Sequence, residues 1–98
     1  MKISNEKNGT DMTIMIEGRL DTTTAPELEK YIDENLGDTK ELTFNLEKLE
    51  YVSSAGLRVL LSAQKKMNKV GNMTIKNVND VIMEIFEVTG FSDIMNIA

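Results

Sequence analysis

Apolar residues recur along this chain with two different periods, and each change of period marks a new element. From Met12 to Gly18 they alternate: Met12, Ile14 and Ile16 point one way, and Thr13, Met15 and Glu17 the other. That is the pattern of a strand, with Met15 suiting a sheet partly covered on its second face. Ile3 to Lys7 forms a short edge strand before it, and Asn8-Gly9-Thr10-Asp11 between the two supplies a hairpin turn. Gly18 to Thr24 reads as a loop of short polar residues. Alternation returns at Glu41 to Leu46, with Leu42, Phe44 and Leu46 inward, and again at Asn72 to Asn77.

Between these strands the spacing lengthens to that of helices. Thr24 is placed to cap the first, with Pro26 in its first turn and Glu27 three positions on. Leu28, Tyr31, Ile32 and Leu36 then share one stripe, and Gly37 ends it. The chain passes through Glu47-Lys-Leu-Glu to Tyr51-Val52, an extended segment that turns into a helix reaching about Lys69. Leu57, Leu60, Leu61, Gln64 and Met67 or Asn68 define its main face, widened by Val59 and Ala63, and Gly71 supplies the stop. Asn79 caps a third helix with Ile82, Ile85 and Phe86 inward, Val81 and Val88 at its flanks and Gly90 at its end. Phe91 to Ile97 is expected as a final strand. The order is β-β-α-β-α-β-α-β, one α/β domain over residues 1–98 in which helices pack on a mixed sheet.

Composition narrows the function. A chain of 98 residues with scarce glycine and proline has room for one core and no flexible linker. Seven methionines against three phenylalanines suggest an adaptable core. Without cysteine there are no disulfides, thiolate metal sites or cysteine nucleophiles. Without histidine the usual general base and most zinc chemistry are gone. Phosphate-loop and dinucleotide fingerprints are also missing, so no cofactor is expected and the catalytic reading is the weakest. A net charge of -5 disfavours nucleic acid and anionic membranes as broad-surface partners. No run approaches membrane-spanning length and the N-terminus carries no secretion segment, so a cytoplasmic location is the expectation. A monomer is expected because the regulatory surface is asymmetric and the chain can form a compact unit.

The candidate chemistry sits where the extended segment meets the second helix. Ser53 and Ser54 place two hydroxyls at that junction. Ser54 suits a helix cap contributing about 1 kcal/mol, with Ala55 and Gly56 letting the first turn sit close to its surroundings. Alternatively its hydroxyl is accessible and accepts a phosphoryl group, with Ser53 as the competing acceptor. Asp21 with Thr22, Thr23 and Thr24 forms a second polar cluster, either a loop and helix cap or a recognition edge offering a carboxylate to a basic partner. Arg58, one turn after Ser54, completes that edge or faces solvent. Asn45 either orients a neighbouring loop or occupies the wetter face of the sheet.

Ser53-Ser54-Ala55-Gly56-Leu57 resembles the phosphoacceptor motif of the anti-sigma factor antagonist family, whose module is the STAS domain. Gly18-Arg-Leu-Asp21 is similar to that family's Gly-x-Leu-Asp loop, and Phe86-Glu-Val-Thr-Gly90 to the segment closing its later helix. The resemblance implies a partner-switching regulator. In that scheme the unphosphorylated protein binds a histidine-kinase-like anti-sigma factor that is also a serine kinase. Phosphorylation at the position matching Ser54 ends the interaction, and a PPM-type serine phosphatase reverses it. Asp21, Thr22, Thr23, Ser53, Ser54, Ala55, Gly56 and Arg58 would form the partner-binding surface. This chain departs from the pattern at Ser53, where an acidic residue is common, and at Ala55, where Ser or Thr is. The sequence also leaves little room after Ala98 for the family's final helix, which is expected to be absent. Two further readings are a constitutive scaffold or sensory-complex module in which Ser54 only caps, and a small-molecule or lipid carrier.

Overall fold

The computed structural model describes all residues, Met1–Ala98, and contains five strands, three α-helices and one 3-10 turn. Strands β1 (Lys2–Asn8) and β2 (Asp11–Leu20) form the hairpin, with Gly9 at φ +66° in its turn. Helix α1 (Ala25–Asn35) leads to β3 (Glu41–Asn45), and β4 (Leu49–Val52) runs into α2 (Ser54–Asn68). Strand β5 (Asn72–Lys76) and helix α3 (Asp80–Val88) follow. The main sheet has the order β1-β2-β3-β5, antiparallel between β1 and β2 and parallel elsewhere, and β4 pairs in parallel with the far end of β2.

Register explains why one sheet face is buried. Met12, Leu42 and Met73 are paired across β2, β3 and β5, as are Ile14, Phe44 and Ile75. All six are buried, in one core of 23 residues shared with Leu28 and Ile32 of α1, Leu60 and Met67 of α2, and Ile82 and Phe86 of α3. Fully burying such a side chain stabilises by roughly 1.5–3 kcal/mol, so these rows fix the register against slippage. The opposite face carries Thr13, Thr43 and Thr74 in one row and Met15 beside Asn45 in the next, all half-buried. Four of the seven methionines are buried and the other three half-buried, consistent with a packing role.

Four expectations from the sequence need correction. Gly18, Arg19 and Leu20 belong to β2, not to a loop: they pair with β4 after a register shift at Gly18, which takes φ +100°. The extended segment before α2 is accordingly a strand of its own, too short to announce itself by alternation. Phe91 to Ile97 is not a strand. Phe91–Asp93 forms the 3-10 turn, Phe91 stacks its ring 5.5 Å from that of Phe86, and only Ile97 makes a bridge, to Ile75. Gly71 is not needed as a left-handed helix stop; a Cβ there would lie 1.8 Å from the Lys40 carbonyl oxygen, so close backbone approach demands glycine. Gly37 and Gly90 do take positive φ after α1 and α3, as helix-ending glycines should.

Candidate functional site

The site is built where β2 and β4 end side by side. Leu20 pairs with Val52, and the Ser53 N–H donates to the Leu20 carbonyl at 2.8 Å. The loop after β2, starting at Asp21, therefore lies against the entrance to α2, an adjacency that sequence order alone leaves open. Gly56 makes this closeness possible. A Cβ on it would meet Leu20 Cγ at 2.6 Å, the Leu20 carbonyl at 3.0 Å and Val52 Cγ2 at 3.0 Å.

The cap of α2 is Ser53 and not Ser54. Ser53 is in an extended conformation, and its hydroxyl accepts from the Gly56 N–H at 3.3 Å, satisfying one of the free donors of the first turn. Its carbonyl accepts from the Leu57 N–H at 2.9 Å. Ser54 is the first residue of α2, and the cap hydrogen bond runs to the Ser53 hydroxyl, which leaves the Ser54 hydroxyl out of the cap. Ser54 is exposed while Ser53 is half-buried, and no acidic residue occupies the first turn. The division of labour between the two serines is thus geometric.

Asp21 organises the adjoining loop. One carboxylate oxygen accepts from the Thr23 hydroxyl at 2.7 Å, the Thr23 N–H at 3.0 Å and the Thr24 N–H at 3.2 Å. The Thr23 hydroxyl does most to hold this carboxyl below the usual carboxylate range; desolvation, next in size, opposes it, and the backbone donors of Thr24 and Thr23 add to the lowering. Thr24 stands at the N-cap position of α1, but its hydroxyl does not cap. It accepts from the Asp21 N–H at 2.8 Å and donates to the Arg19 carbonyl at 2.8 Å, so the capping box expected with Glu27 does not form. Thr22 is exposed beside it.

Arg19 and Tyr51 join the site without having been singled out by the sequence. They are paired across β2 and β4, the guanidinium lies 4.5 Å from the centre of the Tyr51 ring, and its Nε is 3.8 Å from Asp21. The stacking requires the register of two strands, one of which is only four residues long. Arg58 is exposed and lines a groove between α1 and α2. Ala25, Pro26 and Glu29 line one wall of this groove, and Ala55, Arg58 and Val59 the other. The ion pairs of the molecule are Lys7–Asp38, Arg19–Asp21 and Lys66–Asp33, so Arg58 is left without a carboxylate partner. Lys66–Asp33 ties α1 to α2 near the far end of the groove, at an exposed position where such a pair contributes little.

Asn45 resolves as a loop organiser: its side-chain oxygen accepts from the Glu47 N–H at 3.1 Å and from the Asn77 side-chain amide at 3.0 Å. Asn79 caps α3 as expected, accepting from the Ile82 N–H at 2.9 Å, and its amide donates to the Leu49 carbonyl at 2.9 Å. That second bond ties the third helix to the start of β4, the strand that delivers the serines. Asn45 and Asn79 thus support the site from outside it. No group of His, Cys, Asp or Glu is arranged to hold a metal ion, and no helix is long and apolar enough to cross a membrane.

Comparison with known proteins gives this geometry a family. The STAS domain model matches residues 2–98. The anti-sigma-B factor antagonist of Staphylococcus aureus (strain NCTC 8325 / PS 47) is 34% identical over 86 residues, covering 86% of this chain and 80% of that one. Among solved structures, an anti-sigma factor antagonist from Mycobacterium paratuberculosis superimposes with a TM-score of 0.88 at 22% identity, over 98% of this chain and 83% of the other. The anti-sigma factor antagonist SpoIIAA in its unphosphorylated form gives 0.76 at 17% identity, over 99% and 87%. SpoIIAA of Bacillus in its phosphorylated form also gives 0.76, at 20% identity, over 99% and 91%. With residues 2–98 matched by the family model and its sheet and helices shared with these structures, the chain belongs to the STAS domain family.

Proposed function

We propose that this protein is an anti-sigma factor antagonist that binds a kinase-like anti-sigma factor and is released from it by phosphorylation of Ser54. The observation that carries the reading is the separation of roles at the mouth of α2: Ser53 holds the cap, and Ser54 presents an exposed hydroxyl that the fold does not use there. A phosphoryl group transferred from the partner's ATP would replace the hydroxyl hydrogen, with ADP as the leaving group and the proton released to a base or to water. It would add about -1.5 to -2 of charge at a helix end that tolerates anions, so the domain keeps its fold. At a docking surface the same charge is costly, because it must be desolvated or matched.

Two findings support this reading. The relative from Staphylococcus aureus is named as an antagonist of an anti-sigma factor. SpoIIAA, described in unphosphorylated and phosphorylated forms, matches this fold equally well in both. The surface offered to the partner would combine Asp21, Thr22 and Thr23 with Ser53, Ser54, Ala55, Gly56 and Arg58, and we add Arg19 and Glu29 to it. The reading in which Ser54 merely caps the helix loses its basis, since Ser53 occupies that position. A PPM-type phosphatase would return the protein to its binding form.

The test is incubation with the cognate kinase-like anti-sigma factor and ATP, followed by mass-spectrometric mapping of the modified residue and by measurement of complex formation. Modification at Ser54 with loss of the complex is the expected result. Absence of both a complex and a modified Ser54 would overturn the proposal.

A further inference from the structure

We propose that Arg58 is the internal counter-cation of a phosphoryl group on Ser54, and that modification acts by drawing this guanidinium out of the groove between α1 and α2. The proposal rests on Ser54 being the phosphoacceptor and concerns how the added charge is read. Ser54 and Arg58 stand four positions apart on α2, the spacing that places two side chains on one helix face. Both are exposed. Arg58 also lines the groove, whose opposite wall presents Glu29. Its flexible stem therefore stands on a border, with the groove on one side and residue 54 on the other.

In the unmodified chain nothing holds Arg58 in either position. No carboxylate forms an ion pair with it, Glu29 included. The other cations near the site are committed elsewhere: Arg19 is held by Asp21 and the Tyr51 ring, and Lys66 by Asp33. The first turn of α2 contains no acidic residue to compete. A phosphate on Ser54 would change the balance, because it offers more charge than the single carboxylate of Glu29 and oxygens that match paired guanidinium donors.

The consequence falls on the groove. Before modification its rim carries one cation, Arg58, and one anion, Glu29, over an apolar lining that includes Ala25, Ala55 and Val59. Such a groove fits an apolar partner segment with an acidic group opposite Arg58 and a basic group opposite Glu29. After modification the rim keeps Glu29 alone, with a phosphate close by. The switch thus removes an attractive contact as well as adding a repulsive one, which is how a modest local change produces a large change in affinity.

Phosphoserine installed at position 54 during translation allows a test that needs no kinase. Phosphorus-31 NMR would follow the second ionisation of the phosphate in the wild type, Arg58→Lys and Arg58→Gln. The wild-type value is expected about half a unit below that of Arg58→Gln, roughly threefold in the ionisation constant, with Arg58→Lys between them. Equal values in wild type and Arg58→Gln would overturn the proposal. Affinity for the kinase-like anti-sigma factor supplies the second readout: the phosphate should weaken binding by a larger factor in wild type than in Arg58→Gln. An equal factor in both would refute withdrawal from the groove while leaving the phosphorylation switch standing. If the phosphate changed affinity in neither protein, the switch itself would fail, and the NMR comparison would still decide the Arg58 contact.

Discussion

Replacing Gly56 by alanine tests whether the mouth of α2 is as tightly seated as its geometry requires. Glycine inside a helix ordinarily costs up to about 1 kcal/mol relative to alanine, so propensity alone favours the substitution. Packing opposes it. The added methyl would lie 2.6 Å from Leu20 Cγ and 3.0 Å from both the Leu20 carbonyl and Val52 Cγ2. Leu20 is fully buried at the end of β2, and its carbonyl already accepts the Ser53 N–H at 2.8 Å, so neither neighbour moves freely. Overpacking of this kind costs about 1–3 kcal/mol. A 2.6 Å contact with a fully buried side chain belongs in the upper part of that range, about 2–3 kcal/mol, so subtracting a helix gain of about 1 kcal/mol leaves a net loss of about 1–2 kcal/mol, or about 4–12 °C in Tm for a domain of this size. Urea and thermal unfolding followed by circular dichroism would measure it. A double-mutant cycle with Leu20→Ala isolates the contact, because the methyl should cost less once Leu20 Cγ is gone. A Gly56→Ala protein as stable as the wild type, or more stable, would refute the claim that α2 is seated directly on β2 and β4.

The two serines should separate under mutation: Ser53→Ala loses the cap and about 1 kcal/mol of stability, whereas Ser54→Ala stays within about 0.5 kcal/mol, both read by urea denaturation. The reverse ranking would mean that Ser54 is the cap after all. For Asp21, NMR titration should find a pKa below the ordinary value for aspartate, because the Thr23 hydroxyl and the neighbouring backbone donors favour its charged form. A depressed folded-state pKa adds stability above the unfolded value that disappears as pH falls through the folded one. Wild type should therefore exceed Asp21→Asn near neutrality and lose that advantage in acid. Gly71→Ala brings its methyl to 1.8 Å from the Lys40 carbonyl oxygen, which also accepts the Asn72 N–H that starts β5. A loss of about 3 kcal/mol in thermal unfolding is expected, with a wild-type Tm as the contrary result.

The sequence made the helices and the long strands legible because each buries one face against a single core. Met12, Ile14 and Ile16 alternate, and Leu28 and Ile32 lie one turn apart, so local pattern and global packing agree there. Strand β4 escaped because four residues with Leu49 and Val52 buried carry no clear period. The segment from Phe91 to Ile97 misled for a related reason: Phe91 and Met95 are buried four positions apart in a turn, a spacing that alternation cannot describe. At the site, the serine pair and Asp21 stood out by composition. Which serine caps depended on a backbone angle, and the Arg19–Tyr51 stack on a strand register, neither of which a linear pattern encodes. Glu29 was hidden among the acidic residues of α1 until the groove gave it an opposite number in Arg58.

The most direct measurement compares two homogeneous samples, one phosphorylated at Ser54 and one unmodified, by calorimetric titration against the kinase-like anti-sigma factor. Both should give the same circular dichroism spectrum. The phosphorylated sample should bind at least about 30-fold more weakly, the equivalent of an unmatched charge costing about 2 kcal/mol at the interface. Equal affinity of the two folded samples would contradict the account.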